Sequence, residues 1–222
     1  MMTAPLQLTL DLVQPLKPSL DNFVVGRNAE AIAALRASIE GRGERFIYLW
    51  GGVGAGRSHL LQATNGGRDD ADAGLPVFDP AVPLYVADDI DRYDEARQQC
   101  LFVLLNEIRA HHAARFVAAG NAPPAQLALR EDIRTRLAWG LVYQIHSLSD
   151  EEKSRALIAH GASRGISLTP DVLAYVLTHM PRDMRTLVAI LDALDAYALA
   201  RKRAITVPLV REWAQDSGGP AA

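Results

Sequence analysis

Residues 51–58, GGVGAGRS, carry glycines and a hydroxyl at the spacing of a phosphate-binding loop. The pattern G-x-x-x-x-G-K-[ST] is matched at Gly51, Gly56 and Ser58. In such a loop successive backbone N–H groups point at a phosphate, and the following helix adds the positive end of its dipole. Ser58 would then offer its hydroxyl to Mg²⁺, whereas Arg57 stands where the pattern has lysine. We predict nucleotide binding here, and a glycine-rich turn without a ligand is the alternative. The predicted loop contacts are Gly51, Gly52, Val53, Gly54, Ala55, Gly56, Arg57, Ser58 and His59.

Two acids and an amide follow apolar segments further along the chain. Asp88 and Asp89 come directly after LYVA, and Asn121 follows RFVAAG. Polar residues at the carboxyl ends of parallel strands lie where such sheets bind ligands. We predict that Asp88 holds Mg²⁺ through water, that Asp89 orients or deprotonates an attacking water, and that Asn121 positions that water beside a γ-phosphate. The alternatives are a helix N-cap for the acids and a simple turn residue for Asn121.

Two arginines complete the set of candidate catalytic and binding residues. Arg136 lies in a predicted helix before the fourth strand, and Arg185 lies early in a later helix. An arginine that crosses a subunit boundary can stabilise charge on a transferring phosphoryl group, which is the role predicted for Arg136. Arg185 would sense the nucleotide bound in its own subunit. Each of them alone has the ordinary alternative of a solvated surface residue.

Composition and charge exclude several classes of protein. The net charge of −3 and the pI near 6.1 disfavour a protein whose main task is to grip nucleic acid, so we expect no strong direct DNA binding. No apolar run approaches the ~18 residues of a membrane span, and the N-terminus lacks the features of a secretion signal. Cys100 is the single cysteine and is predicted to be a buried, inert thiol. We expect a cytoplasmic protein without a membrane partner.

The elements that must position these residues form two domains. Strands and helices alternate up to residue 148, and only helices follow. The fold class is α/β, a parallel P-loop sheet flanked by helices and followed by a small all-helical lid domain. Ser149 with Glu152 predicts a capping box that opens the first lid helix. We assign an extended tail to 1–20, the nucleotide-binding domain to 21–148, the lid to 149–216 and a disordered end to 217–222. The predicted strands are 45–50, 83–89, 114–121 and 141–146.

This set of motifs resembles that of the AAA+ ATPases: the glycine loop, the strand that ends in two acids, Asn121, Arg136 and Arg185. Within that class DNFVVGRNAEA (21–31), RTRLAWGLVYQIHSLSDEEK (134–153) and DMRTLVAILDALDAYA (183–198) resemble the family of the bacterial replication initiator DnaA. The resemblance covers about residues 20–214. No segment resembles the initiator's helix-turn-helix DNA-binding domain, which favours a short regulatory relative of the initiator. The resemblance implies that the backbone around Val24 and Val25 frames the adenine.

The same resemblance implies partners and a cofactor. A regulatory relative of this kind holds ADP or ATP with Mg²⁺, attaches to the DNA-loaded sliding clamp (the β subunit of DNA polymerase III) and stimulates hydrolysis of the ATP held by DnaA. Arg136 would be the trans arginine finger. The tail sequence QLTLDL (7–12) is similar to a clamp-binding peptide, in which Gln7 would bind a polar niche while Leu8, Leu10 and Leu12 contact the clamp. Asp11 stands where that peptide commonly has proline.

Some positions depart from the family pattern and keep other functions open. The segment between the loop helix and the acids is short and polar, so we expect the usual second strand and helix to be cut down to PVF (76–78), and Ala122 replaces an expected arginine. Both changes predict at most a weak ATPase activity of the chain's own. An autonomous AAA+ ATPase, such as a helicase loader, is the main alternative, and a small-molecule P-loop kinase is a further one. Homo-oligomer formation stays open.

Overall fold

The chain folds into two compact units that meet at the Ser147–Leu148 bond. The computed structural model describes residues 17–65, 75–181 and 183–216. Residues 17–147 form an α/β unit, and the described residues from Leu148 to Asp216 form a helical unit. Residues 17–20, which the sequence assigns to an extended tail, already belong to the α/β unit, since Leu20 is buried in its core.

A four-stranded parallel sheet forms the centre of the α/β unit. Its order is β2-β3-β1-β4, so β1 and β3 are the inner strands. Parallel neighbours need crossover connections, and helices supply them here. The strands are β1 (Phe46–Trp50), β2 (Leu84–Ala87), β3 (Arg115–Gly120) and β4 (Leu141–Gln144).

Alternate side chains of β1 enter two different apolar cores. Phe46 and Tyr48 pack in the core on one face of the sheet, whereas Ile47 and Leu49 pack in the core on the other face. Successive side chains of a strand point to opposite faces, so a strand covered on both sides reads as a continuous apolar run. This burial on both faces explains why FIYLW contains no charged residue.

Helices cover both faces of the sheet. On one face α3 contributes Leu101, Leu104, Leu105 and Ile108, a spacing that places them on one side of a helix. The other face is covered by α1 and α2. The helix bounds are α1 (Ala29–Ile39), α2 (Arg57–Thr64), α3 (Glu95–Ala110) and α4 (Glu131–Leu137).

The helical unit has an apolar core of its own. Its first helix opens with the predicted capping box: the Ser149 hydroxyl accepts from Glu152 N, and the Glu152 carboxylate accepts from Ser149 N. The last two helices are joined because the Tyr197 hydroxyl donates to Asp216 Oδ2 at 2.6 Å. The helices are α5 (Asp150–Ser163), α6 (Pro170–His179), α7 (Met184–Arg201) and α8 (Val207–Asp216).

The structure contradicts two expectations from the sequence. Residues 76–78 form no strand; Phe78 instead packs its ring against Tyr85 at a centroid distance of 5.8 Å. Cys100 is exposed, because it lies on the outer side of α3 while Leu101 and Leu104 take the core positions. The prediction that the Cys100 thiol is buried is therefore wrong.

Within the described part of the chain, no helix is long and apolar enough to cross a membrane.

We expect Leu187→Ala to lower the free energy of unfolding by about 2–5 kcal/mol, because Leu187 is fully buried in the helical core and its removal leaves a cavity. Leu199→Ala on the same helix is the matched control, since that side chain is 69% exposed. Urea denaturation followed by circular dichroism measures both variants. Equal effects of the two substitutions would contradict the assigned packing of α7.

Candidate nucleotide-binding site

The glycine loop connects the end of β1 to the start of α2 at the carboxyl edge of the sheet. Gly54 and Gly56 adopt φ values of +75° and +94°, which favour residues without a Cβ. Gly56 precedes α2, and no side chain caps this helix end. The first N–H groups of the helix are therefore available to an anion, as at other phosphate-binding helix ends.

The ring of Phe23, in the segment before α1, packs against one side of the glycine loop. A Cβ built on Gly56 would lie 2.7 Å from the Phe23 ring, and Phe23 also faces the His59 ring at 5.3 Å. The His59 imidazole in turn lies 3.0 Å from the carbonyl oxygen of Ser19. The segment before α1 thus packs directly on the loop and the first turn of α2.

Val24 and Val25, the predicted nucleobase-framing residues, directly follow Phe23 in the chain. Val24 is half-buried and Val25 is 40% exposed. Asn28 holds the segment in place: its amide donates to His146 O at 3.0 Å and accepts from His146 N at 2.8 Å.

The guanidinium of Arg57 is largely buried and faces the carboxylate of Asp89. Its side chain is only 12% exposed, and Nη2 lies 3.5 Å from Asp89 Oδ1. Nη1 is buried and has no hydrogen-bond partner among the described residues. A buried donor without an acceptor is costly, so this position fits a phosphate oxygen well. The residues present therefore suit a nucleoside phosphate.

The two acids stand where β2 ends. Asp88 Oδ1 accepts from Asp89 N at 2.8 Å, and Asp89 adopts a left-handed backbone conformation with φ +44°. Aspartate tolerates this conformation better than most residues. Asp89 Oδ2 also lies 3.5 Å from Nη1 of the exposed Arg92. Ser58 is exposed on the first turn of α2. Within the described residues no three His, Cys, Asp or Glu side chains cluster as a metal site, so Mg²⁺ would depend on Ser58, Asp88 and phosphate oxygens.

Two side chains that the sequence reading missed fix the end of β3. Asp91 Oδ1 accepts from Asn121 N at 3.0 Å, and the Tyr48 hydroxyl donates to Ala122 O at 2.8 Å. Burial, supported by the charge of Asp91, raises the pKa of Tyr48 far above its usual value, although Arg57 opposes this shift. Tyr48 therefore stays a protonated donor, and the Asn121 side chain remains exposed.

Arg136 is held on the surface formed by α3 and α4. Its Nε donates to Asn106 Oδ1 at 3.0 Å, and its Nη1 donates to Asp132 O at 2.7 Å. The guanidinium lies over Phe102, 4.1 Å from the ring centroid, and 5.4 Å from the Trp139 centroid. Aromatic faces attract guanidinium groups, so these rings restrict the arginine further. Within the described residues Nη2 makes no hydrogen bond and no carboxylate pairs with Arg136.

The structure thus brings together most, but not all, of the residues predicted from sequence. The loop, Asp88, Asp89 and Asn121 meet at one edge of the sheet. Arg185 lies in the helical unit, exposed in the first turn of α7. The predicted clamp-binding residues lie outside the described residues: Gln7, Leu8, Leu10 and Leu12.

Missed residues such as Phe23, Tyr48 and Asp91 act through contacts between segments distant in sequence. Of these three residues, only Asp91 was recognisable in the sequence, as a third acid two residues after Asp89.

Comparisons with solved structures give the class of fold. Domain III of the Thermotoga maritima replication initiation protein DnaA matches with a TM-score of 0.70 at 19% identity, over 90% of this chain and 97% of that chain. AMPPCP-bound DnaA from Aquifex aeolicus matches at 0.64 and 20% identity, over 86% and 70% of the two chains. The Thermotoga maritima RuvB Holliday junction branch migration motor matches at 0.62 and 16%, over 91% and 73%. The predicted AAA+ fold, a parallel sheet with a helical lid, is confirmed.

The helical unit carries the more specific match. A family model described as "Hda, lid domain" matches residues 150–213. The helical unit is therefore similar to the lid domain of Hda, and the fold of the chain is similar to that of DnaA domain III.

We expect Gly56→Ala to weaken ADP binding at least tenfold and to lower the melting temperature, because alanine is strained at φ +94° and its Cβ would collide with Phe23. Gly52→Ala is the matched control for the melting temperature, since a Cβ there meets no other protein atom within 4 Å. Isothermal titration calorimetry and thermal denaturation measure the two effects. Full ADP affinity in Gly56→Ala would show that this loop geometry is not needed for binding.

Proposed function

We propose that this chain is a regulator of the initiator DnaA that uses a bound nucleotide as a structural ligand and stimulates hydrolysis of the ATP held by DnaA. The observation that carries the proposal is the state of Arg136. Its guanidinium is held by two hydrogen bonds and two aromatic faces, yet no carboxylate neutralises it within the described residues. A fixed and unneutralised arginine is what a trans arginine finger requires.

The role of Arg136 follows from where charge develops during phosphoryl transfer. Negative charge spreads over the oxygens of the transferring group, and a cation already in position stabilises it without reorganisation. Asn106 and Asp132 use the Nε and Nη1 donors of Arg136, which leaves Nη2 to reach into the site of a neighbouring molecule. Phe102 limits the motion of the guanidinium.

The chain's own site would hold ADP or ATP with Mg²⁺. The loop amides and Arg57 would bind the phosphates, Val24 and Val25 would frame the base, and Ser58 and Asp88 would hold the metal. Bound nucleotide would supply negative charge and acceptors for the buried Arg57 Nη1. Arg185 would contact the same nucleotide from the lid. Ordering these parts, rather than turning over substrate, is the proposed use of the site.

Autonomous ATP hydrolysis is the second candidate function. The placement of Asp89 and Asn121 at adjacent strand ends favours it, because these residue types can orient a water molecule. The contact of Arg57 with Asp89 argues against fast turnover. Turnover by the purified chain that Asp89→Asn abolishes would support this second function over the regulatory one.

We expect Arg136→Ala to reduce the stimulated rate of DnaA-bound ATP hydrolysis about a hundredfold or more, because removing an arginine finger costs that much in related phosphoryl transfers. Folding and ADP binding by the chain should be unchanged, since Arg136 lies on the α3–α4 surface. The assay combines DnaA, clamp-loaded DNA and this protein. Arg130→Ala is the matched control, since Arg130 lies over the same Phe102 ring but is paired with Asp132. Retained stimulation by Arg136→Ala would disprove the finger.

Binding to the sliding clamp is proposed from the sequence of the tail. Gln7, Leu8, Leu10 and Leu12 match the peptide type that docks in extended form on such a surface. These residues lie outside the described residues, and Gln7→Ala with Leu10→Ala should abolish co-purification with the clamp. Thr9→Ala is the control within the same segment. A double variant that still binds the clamp would show that another surface makes the contact.

A further inference from the structure

The loop arginine and the strand-end acid form a bridge across the predicted phosphate site. Arg57 Nη2 lies 3.5 Å from Asp89 Oδ1, while Asp89 Oδ2 lies 3.5 Å from Arg92 Nη1. Both carboxylate oxygens of Asp89 therefore face guanidinium groups. One of these groups, Arg57, is largely buried, and the other is 77% exposed. The buried contact is screened less by water and has the larger effect on the site.

The bridge leaves Arg57 incompletely satisfied. Its Nη1 is buried and finds no acceptor among the described residues, so the contact with Asp89 uses only part of the guanidinium fork. A buried donor without a partner favours any arrangement that supplies an acceptor. Arginine has a planar fork that binds phosphate oxygens in pairs, which a lysine ammonium does not. A phosphate group in the loop would thus compete with Asp89 for the same side chain.

We propose that the Arg57–Asp89 bridge competes with the β-phosphate of a nucleoside diphosphate, so that entry of the nucleotide and release of Asp89 are one coupled event. The inference rests on the proposed nucleotide site and goes beyond it by assigning a switch to two of its residues. Without nucleotide, Arg57 and Asp89 hold each other. With nucleotide, Arg57 turns to the phosphate, and the freed carboxylate changes the charge at the β2 end of the sheet edge.

The test measures binding of ADP to the purified full chain by isothermal titration calorimetry in EDTA, so that Mg²⁺ does not contribute. Asp89→Asn should tighten ADP binding roughly three- to tenfold, because Arg57 no longer has to leave a carboxylate. In the Arg57→Met background the same substitution should change ADP affinity less than twofold. Methionine keeps the buried stem of the side chain, and melting temperatures confirm that each variant is folded.

Three controls separate the bridge from general charge repulsion. Asp88→Asn removes a neighbouring carboxylate that does not contact Arg57, so its effect should be clearly smaller than that of Asp89→Asn. Arg92→Ala removes the exposed guanidinium, and the gain from Asp89→Asn should persist in that background. AMP lacks a β-phosphate, so Asp89→Asn should leave its affinity unchanged.

Each outcome decides the question. A gain that requires Arg57 and appears with ADP but not AMP supports the bridge. An equal gain with and without Arg57, an equal gain from Asp88→Asn, or no gain at all overturns it. Wild-type protein that binds no ADP would overturn the nucleotide site as well. Loss of DnaA stimulation in the Arg136 experiment has no bearing on this result, so the two proposals fail separately.

Discussion

Strand β1 is the element on which the site depends. It lies between β3 and β4, and its side chains fill the apolar cores on both faces of the sheet. Because all four strands are parallel, their carboxyl ends share one edge. The end of β1 thereby places the glycine loop beside Asp89, which follows β2, and near Asn121, which follows β3. The packing of β1 in the two apolar cores thus brings polar residues that are far apart in sequence together in one site.

Two arginines in this chain show how local partners give one residue type opposite properties. Arg57 faces the carboxylate of Asp89, and its charge is partly compensated within its own site. Arg136 is bound by neutral partners, an amide, a carbonyl oxygen and aromatic rings, so its full charge remains. Both arginines lie within helices, so helical placement alone does not explain the difference. The difference comes from their neighbours: Asn106 and Phe102 on α3 for Arg136, and Asp89 after β2 for Arg57.

Much of the fold was readable from the sequence because its signals are local. The apolar runs marked all four strands, and Ser149 with Glu152 marked the start of α5 within one residue. The loop and the acids were readable because they combine special residue types with strand ends. Tyr48 was not, since a tyrosine in a buried strand is ordinary until its hydroxyl is seen to reach Ala122 O. The burial of Cys100 was mispredicted because several apolar residues surround it in the sequence. Only the structure shows that the buried side of α3 is the one with Leu101 and Leu104.

Asn28 has a consequence for how the sheet ends. Ile145 N donates to Trp50 O inside the sheet, so the N–H and C=O groups of the next residue, His146, point away from it. The Asn28 amide satisfies both of them and mimics one residue of a neighbouring strand. Unpaired edges of this kind attract extended segments of other chains, which leads to aggregation. A single buried amide therefore occupies the backbone groups that an added strand would pair with just past the end of β4.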